Sequence, residues 1–226
     1  MQKIFDFLTA LSLNNNREWF NAHKEQYVAC HEQFVAWNAQ LLEKLAVIDP
    51  ALAHLTPKDC IWRIYRDVRF SKDKRPYKEW FGTFPAVGGK NGLHAGYYVH
   101  IQPNNCLFSG GMWCPPPNIL KKVRQDIYEN YDEVEDIFAE PHFKRYFSDF
   151  DQEYMLKKVP TGFDKDFVHA DWLKHKTYTF THHLTNEEVL KANFMDSVLD
   201  MVQAAKPMID FLNYSLEEVN KTEITL

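Results

Sequence analysis

Between positions 63 and 70 the chain reads Arg63-Ile-Tyr-Arg66-Asp67-Val-Arg69-Phe70, a dense array of guanidinium groups around one carboxylate. Guanidinium is a planar, permanently charged fork of donors that meets a carboxylate or phosphate with two parallel bonds. The continuation, Ser71-Lys72-Asp73-Lys74-Arg75-Pro76-Tyr77-Lys78, adds flexible cations and a phenol. Together these are the parts of an oxyanion clamp. Arg63, Arg66 and Arg69 would bind charge, Lys74 and Tyr77 would close over it, and Asp67 would orient an arginine or serve as base. If Ile61–Phe70 is extended, alternate side chains share a face, with same-face neighbours roughly 7 Å apart. Arg63, Tyr65, Asp67 and Arg69 then form a polar row. Arg66 falls among Trp62, Ile64, Val68 and Phe70, where a guanidinium must be paired or face a cavity. A β-bulge near Asp67 would return it to the polar row. The same alternation equally suits a structural lock that knits a sheet edge to a helix.

Other groups could join this chemistry. Arg17 opens a helix, where the macrodipole disfavours a cation, so it either joins the arginine cluster or is simply solvated. Glu18 pairs one of those arginines or acts as an ordinary capping residue. His100 shares a strand face with Tyr98 and Gln102, and could exchange protons if its strand adjoins the arginines; a hydrogen-bonded structural role fits it as well. Asp67, Tyr77 and His100 are therefore the proton-transfer candidates, and Arg17, Arg63, Arg66, Arg69 and Lys74 the ligand-binding set. The ten histidines have no metal-ligand spacing, and His182 and His183, adjacent in a strand, must point to opposite faces. No glycine-rich nucleotide loop or nucleophile elbow occurs, and Ser109 before Gly110-Gly111 is a weak nucleophile candidate. No metal and no cofactor is expected.

The elements that must position these groups follow from hydrophobic period. Ile4, Phe7, Leu8 and Leu11 predict a short first helix. Asn15, with Glu18 three residues on, predicts the cap of a long helix from about Arg17 to Val47. Strand patterns cover Ile61–Phe70, Gly82–Val87, Gly96–Gln102, Cys106–Met112 and Lys176–His183, with hairpin loops at Gly88–Gly92 and Pro103–Asn105. Pro115–Pro117 introduces a helical stretch through Ile119, Leu120, Val123 and Ile127. Thr185-Asn-Glu-Glu188 is a capping box that opens a helix to about Asn213, which Pro207 should kink or end. These patterns predict an α+β fold, an antiparallel or mixed sheet packed against a long N-terminal helix and C-terminal helices. No linker or repeat divides it, so residues 1–226 read as one domain.

Composition bounds the partners. The 226 residues carry a net charge of −5, with 45% hydrophobic and 15% aromatic residues. Residues 58–79 hold eight Lys/Arg against four acids, so this segment is +4 and the rest of the chain is −9. That acidic remainder disfavours nucleic acid, although Tyr65, Phe70, Tyr77, Trp80 and Phe81 interleave the cations as single-strand binders require. A small anionic ligand is the partner expected; the oligomeric state is not legible. Four scattered cysteines, no signal-like N-terminus and no apolar run of membrane length predict a cytoplasmic protein with reduced thiols.

The pattern Arg63-x-x-Arg66-Asp67-x-Arg69-Phe70-x-x-x-Lys74-x-x-Tyr77 has seven fixed positions. With Asn14-Asn-Asn-Arg17-Glu18-Trp19-Phe20, Gly96-Tyr-Tyr-Val-His100 and Gly110-Gly111-Met-Trp113, it resembles a mainly bacterial family catalogued as domain of unknown function 2461. The resemblance runs over nearly the whole chain. It implies a shared fold and, if the family has one, a shared site; it brings no activity with it.

Overall fold

Ile4, Phe7, Leu8 and Leu11 are all buried on one side of α1 (Gln2–Leu13), as their spacing requires. The predicted long helix is in fact two. The chain breaks at His23 between α2 (Arg17–Ala22) and α3 (Lys24–Ile48). Asn16, not Asn15, caps α2, its side chain accepting from the Trp19 amide. Asn15 is engaged elsewhere: it accepts from the Tyr77 amide at 3.1 Å and donates to the Tyr77 carbonyl and Glu79 Oε1 at 3.0 and 2.9 Å. A side chain that satisfies three distant groups cannot also cap its own helix. Cys30, Phe34, Leu41, Leu42 and Leu45 face the core from α3. A computed structural model describes residues 1–223.

After α4 (Pro57–Cys60), opened by a Thr56–Asp59 capping box, the expected strand Ile61–Phe70 does not form. Residues 63–79 instead make an irregular hairpin arm. It is tied by single bridges, Ile61 to Thr83 and Tyr65 to Tyr77, and by bonds from the Arg66 amide to the Pro76 carbonyl and the Lys78 amide to the Ile64 carbonyl. Pro76 has no N–H to continue a ladder, and the arm beyond it has no apolar face to bury. Phe70, expected inside, is 95% exposed.

The sheet comprises β1 (Phe81–Thr83), β2 (Gly96–Ile101), β3 (Cys106–Met112) and, after three helices, β4 (Tyr178–Leu184), in the order β1-β2-β3-β4 among the described residues. All pairings are antiparallel. β1 is shorter than the predicted Gly82–Val87, which runs into Pro85. The intervening helices are α5 (Pro117–Glu129), α6 (Tyr131–Ala139) and α7 (Pro141–Lys144). The Thr185–Glu188 capping box forms, but the helix it opens, α8 (Asn186–Leu190), is brief. Lys191 turns extended, and α9 (Phe194–Glu223) follows, continuing through Pro207 instead of ending there. No helix among the described residues is long and apolar enough to cross a membrane.

Strand alternation gives the sheet two unlike faces. Tyr97, Val99, Phe108, Tyr178 and Phe180 are buried and join the α1, α3 and α9 side chains in one core. Gly110 belongs to that inner face, where a Cβ would lie 2.5 Å from the Phe180 ring. The opposite face carries Tyr98, His100, Ser109, Thr179, Thr181 and His183.

Candidate functional site

Within the arm Arg66, Arg69 and Arg75 are each paired with a carboxylate of the arm itself. Arg66 Nη1 meets Asp73 Oδ2 at 2.8 Å and donates to the Arg75 carbonyl. Arg75 bonds the same Asp73 oxygen at 2.8 Å and reaches Glu79 at 2.6 Å. Arg69 forks onto Asp67 through Nε and Nη2, and Lys74 Nζ caps the Val68 carbonyl. The Arg75 hydrogen bonds, with Arg66 beside them, hold the Asp73 carboxyl well below the usual carboxylate range. Arg69 lowers Asp67 in the same way.

The expected site residues are thus distributed over several places. Arg66, Asp67, Arg69 and Lys74 share the arm, with Arg63 exposed at its base. Arg17 lies exposed in the first turn of α2, close enough to Tyr77 to act on its charge. Tyr77 is buried, its ring stacked on Phe20 at 3.9 Å, and burial raises its phenol pKa. His100 sits on β2 as the strand parity predicts, between the Tyr98 hydroxyl at 2.7 Å and Gln102 Oε1 at 3.0 Å. Burial holds its imidazole below the usual histidine range. Its ring lies 4.9 Å from Trp80.

A different set of residues converges on open space. The outer sheet face bears a cavity of about 890 Å³, inside the roughly 300–1,000 Å³ typical of small-molecule sites. Its lining contains none of the eight expected site residues. Trp62 and Trp80, the residues that bracket the arm, form one wall with Tyr98. Trp62 stands edge-on to Tyr98 at 5.4 Å and to Trp80 at 6.3 Å. Gly82 lets two of these rings settle, since a Cβ there would be 2.8 Å from Trp80 and 3.0 Å from Tyr98. Trp113, 59% exposed, also lines the cleft, with Cys114.

The floor is polar. Register sets Tyr98 against Ser109 and Ser109 against Thr181, one row across three strands. From a loop, Asp151 Oδ2 accepts from Thr179 Oγ1 at 2.7 Å and Thr181 Oγ1 at 2.8 Å. Thr181 Oγ1 is also 3.2 Å from Ser109 Oγ. Asp151 Oδ1 receives no hydrogen bond from a described residue. The arrangement can stack a ring against indoles while offering hydroxyls and a carboxylate to its polar edge.

The outer-face threonines were readable from the alternation of β4 and Trp80 from the aromatics that interleave the cations, whereas Trp62 read as part of the apolar face of the expected strand. Asp151 had no local signal, because only the fold brings its loop to β4.

The sequence matches, over residues 3–211, the family described as conserved hypothetical protein (DUF2461). The chain belongs to that family. Searches of curated proteins and of solved structures found no match.

Proposed function

We propose that this member of the family binds a small organic molecule in the outer-face cleft, and that the arginine array braces the arm beside it. The observation that carries this is the 890 Å³ cavity walled by Trp62, Trp80, Tyr98 and Trp113 over a hydroxyl-bearing floor. Binding sites combine such apolar walls with a few fixed polar groups.

A small anion at Arg63, Arg66, Arg69 and Lys74, closed by Tyr77, is the reading that the charge of the segment favours. It is the weaker one. Arg66 and Arg69 would have to leave Asp73 and Asp67 first, and Tyr77 is stacked in the core. Single-stranded nucleic acid meets the same obstacle.

The test uses Cys114, the exposed cysteine of the cleft; Cys30, Cys60 and Cys106 are buried. A library of small polar metabolites is screened for compounds that raise the melting temperature and slow thiol modification of Cys114. Binding in the cleft predicts compounds that do both, with both effects lost in Trp113→Ala. A library in which nothing slows Cys114 removes the cleft reading. Inorganic phosphate that stabilises the native chain but not Arg69→Ala, with Cys114 unaffected, moves the site to the arm.

A further inference from the structure

The cleft's polar floor narrows what it can hold. Indole and phenol walls accept three kinds of guest: a flat aromatic, an organic cation, or the C–H face of a sugar ring. A hydrocarbon ring or a quaternary ammonium meets the walls but makes no hydrogen bond to the floor. Thr179 and Thr181 are engaged by Asp151 Oδ2, so the groups left to a guest are Asp151 Oδ1 and the Ser109 hydroxyl, which such guests cannot bond. A phosphorylated guest fails for another reason. Asp151 and Glu153 both line the cleft, and the one lysine there, Lys90, has its ammonium bound to the Lys58 carbonyl. A guest that is apolar on its faces, uncharged, and ringed by hydroxyls satisfies walls and floor together.

We infer that the cleft is a carbohydrate site: a neutral saccharide ring stacks against Trp62 and Trp113, and its hydroxyls bond Asp151 Oδ1 and Ser109 Oγ. This rests on the cleft reading above and adds the ligand class. Asp151 is the deciding group. Thr179 and Thr181 occupy its Oδ2 and hold the carboxylate in place, and Oδ1 is left to accept. Thr181 can give its single proton to Asp151, and Ser109 is then free to donate either to Thr181 or to the guest. The chain therefore presents a fixed acceptor beside a hydroxyl that can turn, which suits a vicinal pair of sugar hydroxyls.

The experiment follows the rate of Cys114 modification in the full chain under four sets of probes. These are a saccharide panel (glucose, galactose, mannose, N-acetylglucosamine, cellobiose and maltose), tetramethylammonium, benzyl alcohol and inorganic phosphate. At ten times Kd about a tenth of the molecules are unoccupied, so a bound saccharide slows the thiol about tenfold. Asp151→Asn keeps an oxygen for the two threonines and replaces the open acceptor with a donor. It raises the saccharide Kd tenfold or more, with circular dichroism unchanged. Trp113→Ala, a change at an exposed ring, does the same without touching the floor. If tetramethylammonium, benzyl alcohol or phosphate protects Cys114 and no saccharide does, the carbohydrate assignment falls and the cleft reading stands. If neither these probes nor the metabolite library protects it, both fall. Saccharide protection that survives Asp151→Asn undiminished overturns the assignment as well.

Discussion

Arg66→Ala separates two uses of the cationic arm. Breaking a buried lock by removing one partner costs about 3–5 kcal/mol. Arg66 is a quarter exposed, however, and Asp73 keeps Arg75 when Arg66 is gone. Exposed pairs contribute little. The expected outcome is a melting temperature lowered by only a few degrees, read by calorimetry, whereas a collapse of the fold would restore the buried lock. Gly82→Ala probes the cleft wall at the same scale. Its Cβ must displace the Trp80 and Tyr98 rings, so a loss of about 1–3 kcal/mol is expected, as for other overpacked sites. A shifted tryptophan emission spectrum should accompany it, and an unchanged spectrum would mean that the rings do not rest on that glycine. The sequence located Arg66 as anomalous but not its partner. Asp73 lies across a hairpin turn, and parity along a single strand says nothing about a return strand.

At the scale of elements, period was legible wherever an element buries one face. β2, β3 and β4 were recognisable because their inner residues meet α9 and the core while their outer residues alternate polar. The same alternation misled at Ile61–Phe70, because ion pairs within the arm, not a core, decide its shape. The cap of α2 was misplaced for a comparable reason. Asn14-Asn-Asn16 offered several caps, and only the arm's position recruits Asn15 to Tyr77 and Glu79. This makes Asn15 the staple that joins the α1–α2 turn to the arm. Asn15→Ala should destabilise by about 2 kcal/mol, since it strands half-buried partners. Asn16→Ala loses one cap and should cost about 1 kcal/mol. Urea titration of the two variants distinguishes them; equal losses would reduce Asn15 to one more capping residue.

For the molecule as a whole, burial of histidine sets how stability depends on pH. His31, His100 and His175 all have imidazole pKa values held below the usual range, and in each the leading cause is burial. His175 is fully enclosed, its ring 5.7 Å from Phe150 and 5.9 Å from Tyr178, while its carbonyl accepts from buried Arg124. Unfolding returns each ring to water, where it takes up a proton below about pH 6.5. In that range the unfolded state binds more protons than the folded one, so acid favours unfolding. The stability these rings allow is complete above about pH 6.5. It is lost as pH falls below 6.5 toward their depressed native values. The carboxylates act in the same direction at lower pH, because Asp67, Asp73 and Asp200 are held below their usual values by guanidinium, phenol or imidazole partners. Their share disappears below about pH 4. Two descending steps are therefore expected in melting temperature against pH. His175→Phe should flatten the upper one, because phenylalanine has no proton to gain; an upper step unchanged in that variant would assign it to His31 and His100 alone.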